Sequence, residues 1–172
     1  MRNKIKKETL SALLTAVSLS LFAVELLIPP FPFAPAAKIG LANIVTLFML
    51  TNRNFFSSSD CFKVLIARCV LSSLITGRIA SVFFSLVGGI FAVLGMLATV
   101  RITDSEHVIL TSIVGAIFHN IGQMTVAFFI YGTLSIAYYL PALFLTGVLC
   151  GILTGICVVI INKTKIVDLL KF

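Results

Sequence analysis

The apolar residues of this chain come in long runs, broken only by short polar or proline-containing stretches, and not at the spacing of a helix with one wet face. A run of ~20 apolar residues matches the hydrocarbon thickness of a bilayer, so lipid is the expected solvent. Composition points the same way. Of 172 residues, 59% are hydrophobic and 11% charged, and the mean hydropathy is +1.15. A soluble domain carries about 25% charged residues. One bundle accounts for the whole length, so the sequence predicts a single all-α, polytopic membrane domain over residues 1–172.

The runs place six helices at 9–28, 39–51, 61–76, 79–100, 108–131 and 138–161. The first follows a basic stretch (Arg2, Lys4, Lys6, Lys7), as in a signal peptide, but it is long, contains Glu25 and ends in prolines without a small-residue cleavage site. It reads as a retained helix. Pro29, Pro30, Pro32 and Pro35 then break the helix, because proline fixes φ and removes an N–H donor. The second segment is short: its 13 residues rise about 20 Å against a ~30 Å core. It either extends backward through Ala36 and Ala37, with Lys38 snorkelling, or re-enters the side it came from. Charge decides for a span. With six crossings, ten lysines and arginines fall on the side of the termini and two, Lys38 and Arg78, on the other, with Arg68 inside a helix. That bias predicts cytoplasmic termini in a multi-pass protein of the bacterial cytoplasmic membrane.

The net charge of +7 does not indicate nucleic acid, because the basic residues flank apolar runs and form no face with interleaved aromatics. Cys61, Cys69, Cys150 and Cys157 lie in or beside apolar segments, form no C-x-x-C pair and read as packing residues, not metal ligands. Gly147, Gly151 and Gly155 form a small face on the sixth helix, suited to close helix packing. Ala12, Ala16 and Ala23 make a smooth stripe on the first helix, while Glu25 and Ser18 fall on nearly the opposite side.

Ionisable and amide side chains within a membrane are costly, so their positions carry the most information. Counting rise per residue places Glu25, Asn43, Arg68, His119, Asn120 and Gln123 at one level in the outer half of the bundle, near Lys38. Two readings follow. These groups satisfy one another, for instance through Glu25 paired with Arg68 or Lys38, and lock the bundle. Alternatively they line a cavity in which one acid faces a surplus of positive charge, which favours an anionic head group. No catalytic template fits: there is no nucleophile triad around His119, no phosphate-binding glycine loop, and Asp60, Asp104 and Asp168 are isolated. Binding or transport is favoured over catalysis, with no cofactor.

The stretches PPFPFAPAAKIGLANIVTLFML, Ala67-Arg68, FFSLVGGIFAVLGM and VGAIFHNIGQMTVAFFIY resemble the Gx transporter family, whose members are often labelled heptaprenyl diphosphate synthase component I. The likeness covers nearly the whole chain, with one departure at Ala36, where the family usually has glycine. That family is similar to the substrate-binding S components of energy-coupling factor (ECF) transporters, six-helix proteins that work with a membrane T component and two ATPases. The resemblance implies a ligand site at Lys38, Gly40, Asn43, Arg68, His119, Asn120 and Gln123, joined on the residue reading by Glu25, and a partner face at Ala12 and Ala16. It implies an ECF-like subunit binding a small anionic or isoprenoid- or quinone-related molecule. The alternative it implies is an accessory subunit of heptaprenyl diphosphate synthesis for menaquinone, and a third is a partner in quinone- or flavin-linked extracellular electron transfer.

Overall fold

The computed structural model describes residues 2–29, 39–77, 80–103, 107–133 and 138–164. Among them there are six α-helices and no strand: α1 (Arg2–Leu26), α2 (Asn43–Thr51), α3 (Ser58–Thr76), α4 (Ala80–Thr103), α5 (Val108–Tyr131) and α6 (Leu140–Lys163). The protein is an all-α membrane protein. α1 begins seven residues earlier than the apolar run because Lys and Arg are themselves good helix formers. α3 starts at a capping box in which Ser57 and Asp60 satisfy each other's backbone N–H groups, and it stops at the left-handed Gly77 (φ 65°).

The expectation of six crossing helices meets four that are long and apolar enough to cross a membrane, within α1, α4, α5 and α6. The other two differ for separate reasons. α3 has the length, at 19 residues, but carries Asp60, Lys63 and Arg68. α2 has only nine residues, a rise of about 13 Å. Its expected start at Ile39 is not reached, because Gly40 takes φ 78°, a left-handed conformation that closes a turn instead of a helix. Asn43 N donates to Gly40 O at 2.8 Å across that turn.

Side-chain bonds gather the helix ends at two levels. At one, Lys7 of α1 pairs with Asp60 of α3 at 2.7 Å, and Asn52, which follows α2, donates to Asn162 near the end of α6 at 2.9 Å. At the other, Glu25 in the last turn of α1 meets Gly40 ahead of α2. Between these levels, Ser18 donates to the carbonyl of Ala42 at 3.1 Å. Ser18 lies about two turns before the end of α1, so α2 starts part-way along the bundle.

That short helix is its centre. Ile44 to Leu50 are all buried, and α2 touches each of the other five helices. A helix apolar on every side needs such a seat. Leu47, Met49 and Leu50 are fully buried with Leu65, Val93 and Val158 from α3, α4 and α6. Lipid tails are as apolar as these side chains, so close packing, more than burial itself, holds them. Leu47→Ala is expected to cost about 2–5 kcal/mol through the void it leaves. α5 and α6 approach through small residues: a Cβ on Gly151 would sit 2.6 Å from Ile113 Cα, and one on Gly155 2.9 Å from Ile109 Cα. Beside them the Ser112 and Thr154 hydroxyls share a hydrogen bond of 2.8 Å. On the far side of α6, Leu149, Leu153 and Ile160 are exposed, as suits lipid contact.

Candidate ligand site

Five elements meet where α2 begins. The last turns of α1 supply Phe22 and Glu25, and the turn into α2 supplies Gly40, Ala42 and Asn43. Arg68, Cys69 and Ser72 come from α3, Ser85 from α4, and His119 and Gln123 from α5. Together they line a cavity of about 30 Å³, room for roughly two waters. A pocket enclosing a whole drug-sized ligand measures about 300–1,000 Å³. As it stands, the cavity fits the polar head of a ligand and not its body.

Local geometry explains why these residues are the ones present. Glu25 Oε1 accepts the Gly40 N–H at 2.6 Å, a charge-assisted bond that ties the end of α1 to the turn ahead of α2. Glycine suits position 40: the backbone is left-handed, and a Cβ would stand 3.2 Å from Asn43 Nδ2. Asn43 Oδ1 in turn accepts from Arg68 Nη1 at 3.2 Å. Arg68 is only 6% exposed, which is costly for a guanidinium inside a bundle unless its N–H groups find acceptors.

The ion pairs lie elsewhere. Among the described residues they are Lys7–Asp60, Lys63–Glu8 and Lys63–Asp60, all at the opposite level of the bundle. Glu25 and Arg68 line one cavity without pairing, so the expected lock between them does not form. Each is held by a nearer neutral partner, Gly40 and Asn43.

Of the residues singled out from sequence, Glu25, Gly40, Asn43, Arg68, His119 and Gln123 come together here. Asn120 does not. Its Nδ2 donates to the Leu143 carbonyl on α6 at 2.7 Å, so it straps α5 to α6 and faces away from the cavity. Gly147 leaves room for that amide, since a Cβ there would lie 3.0 Å from Asn120 Nδ2. Lys38 lies outside the described residues. Ala12 and Ala16 are exposed on α1.

Sequence reasoning gave no site role to Phe22, Ala42, Cys69, Ser72 and Ser85, or to Gly88. A Cβ on Gly88 would stand 3.0 Å from both His119 Cε1 and Gln123 Cγ, so this glycine makes room for both side chains. One on Gly122 would stand 2.9 Å from Gly88 Cα, so the two backbones nearly touch. Helical spacing held part of the signal: Phe22 precedes Glu25 by three residues and Ser72 follows Arg68 by four, each on the same face.

A family model described as heptaprenyl diphosphate synthase component I matches residues 14–161, a span that includes every residue lining the cavity. No curated protein and no solved structure matches the chain.

Proposed function

We propose a role whose premise is the family: this chain belongs to the heptaprenyl diphosphate synthase component I family. The role is that of a membrane-embedded subunit that binds the anionic group of a small molecule and acts with a separate catalytic partner in heptaprenyl diphosphate synthesis. The family's description as a first component supports a second subunit. One observation carries the binding half of the reading: a guanidinium 6% exposed, bonded to an amide and to no carboxylate among the described residues, lines a cavity. An unneutralised cation in a low-dielectric site favours an anion. The start of α2 adds to the attraction, because Asn43 is its first residue and helix N-termini within membrane proteins carry positive potential toward anionic groups.

The decisive experiment adds the purified protein, in lipid nanodiscs, to the catalytic polyprenyl synthase subunit of the same cell. Greater or longer polyprenyl output is expected, and Arg68→Gln should remove the gain. Unchanged output with the wild-type protein would sink the reading.

A second reading, a substrate-binding subunit of an ECF-like transporter, is favoured by the exposure of Ala12 and Ala16 on α1. Two such residues one turn apart leave a smooth helix face on which another helix can pack closely. It predicts co-purification with a membrane T component and ATPases, and loss of that complex in an Ala12→Leu, Ala16→Leu double variant. Normal assembly of the double variant would remove this reading.

The topology that goes with either role is six passes through the bilayer with both termini cytoplasmic. The ten-to-two charge bias supports it. So does the level shared by Lys7, Asp60, Asn52 and Asn162, which suits a short α2 descending beside α6 from a turn held within the bundle.

A further inference from the structure

The two charges in the cavity are opposite in sign and do not meet. Opposite charges attract, so an acid and a guanidinium lining one cavity should close on each other where they can. Here a chain of bonds holds them apart. Glu25 Oε1 accepts from Gly40 N at 2.6 Å, Gly40 O accepts from Asn43 N at 2.8 Å, and Asn43 Oδ1 accepts from Arg68 Nη1 at 3.2 Å. The linking piece is a turn at a left-handed glycine, where a side chain would be strained and crowd the Asn43 amide, and Ser18 pins its far end through the Ala42 carbonyl. It is a strut, and among the described residues it leaves both charged groups with capacity unused. A guanidinium has five N–H donors, and Asn43 takes one of those of Arg68. A carboxylate has about four acceptor sites, and the Gly40 N–H takes one on Oε1 of Glu25.

From this geometry we infer the class of ligand: a small organic acid that also carries a hydrogen-bond donor, a hydroxyl or an ammonium, apart from its acidic group. The acid group meets Arg68 and the start of α2, and the donor meets Glu25. A plain anion satisfies Arg68 and leaves the carboxylate facing a second negative charge across a small cavity, which is unfavourable. A ligand with both groups completes both ends of the strut. This rests on the reading of the cavity as an anion site, and adds to it what the rest of the ligand must carry.

The test measures the affinities of matched small acids for the purified protein in nanodiscs. Propionate and butyrate carry the acid alone, lactate and γ-aminobutyrate add a donor, and pyruvate adds an acceptor in place of the lactate hydroxyl. Wild-type protein is expected to bind at least one donor acid about tenfold more tightly than its plain counterpart, the scale of one hydrogen bond to a charged group. In Glu25→Gln the amide oxygen still accepts from Gly40 while its NH₂ turns the cavity end into a donor. Preference should then shift from lactate toward pyruvate. Arg68→Gln should lose every acid. If donor and plain acids bind alike and Glu25→Gln changes nothing, the two-ended ligand is wrong while the anion site stands. If no acid binds wild-type protein, both fall. Should Glu25→Gln fail to fold, the wild-type ranking alone decides.

Discussion

The start and the middle of α3 handle charge in opposite ways. At its start, Asp60 sits between Lys7 and Lys63, and Lys63 reaches on to Glu8, so each carboxylate there has an ammonium partner. About two turns further along, Arg68 and Glu25 share a cavity and stay apart. Among the described residues, the same bundle closes ion pairs at one level and forms none between Glu25 and Arg68 at the other. The first cluster has the features of a fastening: a buried acid, a capping box and two cations. The second has the features of a receptacle, with charges set at a distance and neutral amides, hydroxyls and an imidazole around them.

The contrast is sharpest in what removal of a charge should do. Arg68→Leu replaces a buried guanidinium by an apolar side chain, a change that in other proteins is often neutral or stabilising. It is expected to abolish anion binding, a loss of a hundredfold or more, while the thermal midpoint in nanodiscs stays level or rises. A large fall in the midpoint would make Arg68 a fastening too and erase the comparison.

Asp60→Ala should do the reverse. It removes the Asp60 half of the α3 capping box and leaves Lys7 without its partner, at a cost of about 2 kcal/mol, with little change in ligand affinity. Asp60 lies just outside the apolar stretch of α3. Burial pushes its carboxyl pKa up, but the hydrogen bond from Lys7, the Ser57 N–H and the charges of Lys7 and Lys63 outweigh it and hold the pKa below 3.8. A depressed carboxyl pKa contributes stability that is full above the unfolded value and drains away as pH falls through the folded one. The wild-type midpoint should therefore hold down to about that ordinary value and decline below it, and Asp60→Asn should flatten this acid limb. An unchanged acid limb in Asp60→Asn would place the acid sensitivity at another group.

The smallest of these effects belongs to Gly88→Ala. One methyl group would press on His119 and Gln123 from below, at 3.0 Å from each. Overpacking of this kind costs about 1–3 kcal/mol, and here the side chains that yield are those of the site. Roughly tenfold weaker binding is expected, partly recovered in a Gly88→Ala, Gln123→Ala double variant. Full affinity in Gly88→Ala would mean that the α5 side chains do not set the shape of the cavity.

Much of this site could be read from the chain, because polar groups in apolar segments are expensive and depth follows from counting residues. That reasoning brought Glu25, Asn43, Arg68, His119 and Gln123 to one level. It failed where the answer depends on which neighbour stands alongside. Asn120 looks as available as His119, yet the Leu143 carbonyl on α6 takes its amide. Glu25 and Arg68 looked like partners, yet each finds a nearer neutral group. α2 was read as a continuous segment from Ile39, and one left-handed glycine shortened it to nine residues. Gly88 carries no chemistry of its own, and its meaning lies in side chains some thirty positions later on α5.

The brevity of α2 also bears on how the protein is made. A helix rising about 13 Å cannot settle in a bilayer by its own partitioning, and its backbone ends find no water there to satisfy them. Most of its resting place is assembled from helices translated after it. The Asn52–Asn162 bond that fixes its end joins residues 110 apart in the chain. A ribosome that has released only the first half of the protein has therefore made α2 before the groove that receives it exists. The seat of α2 is complete only once the final helix has left the insertion machinery.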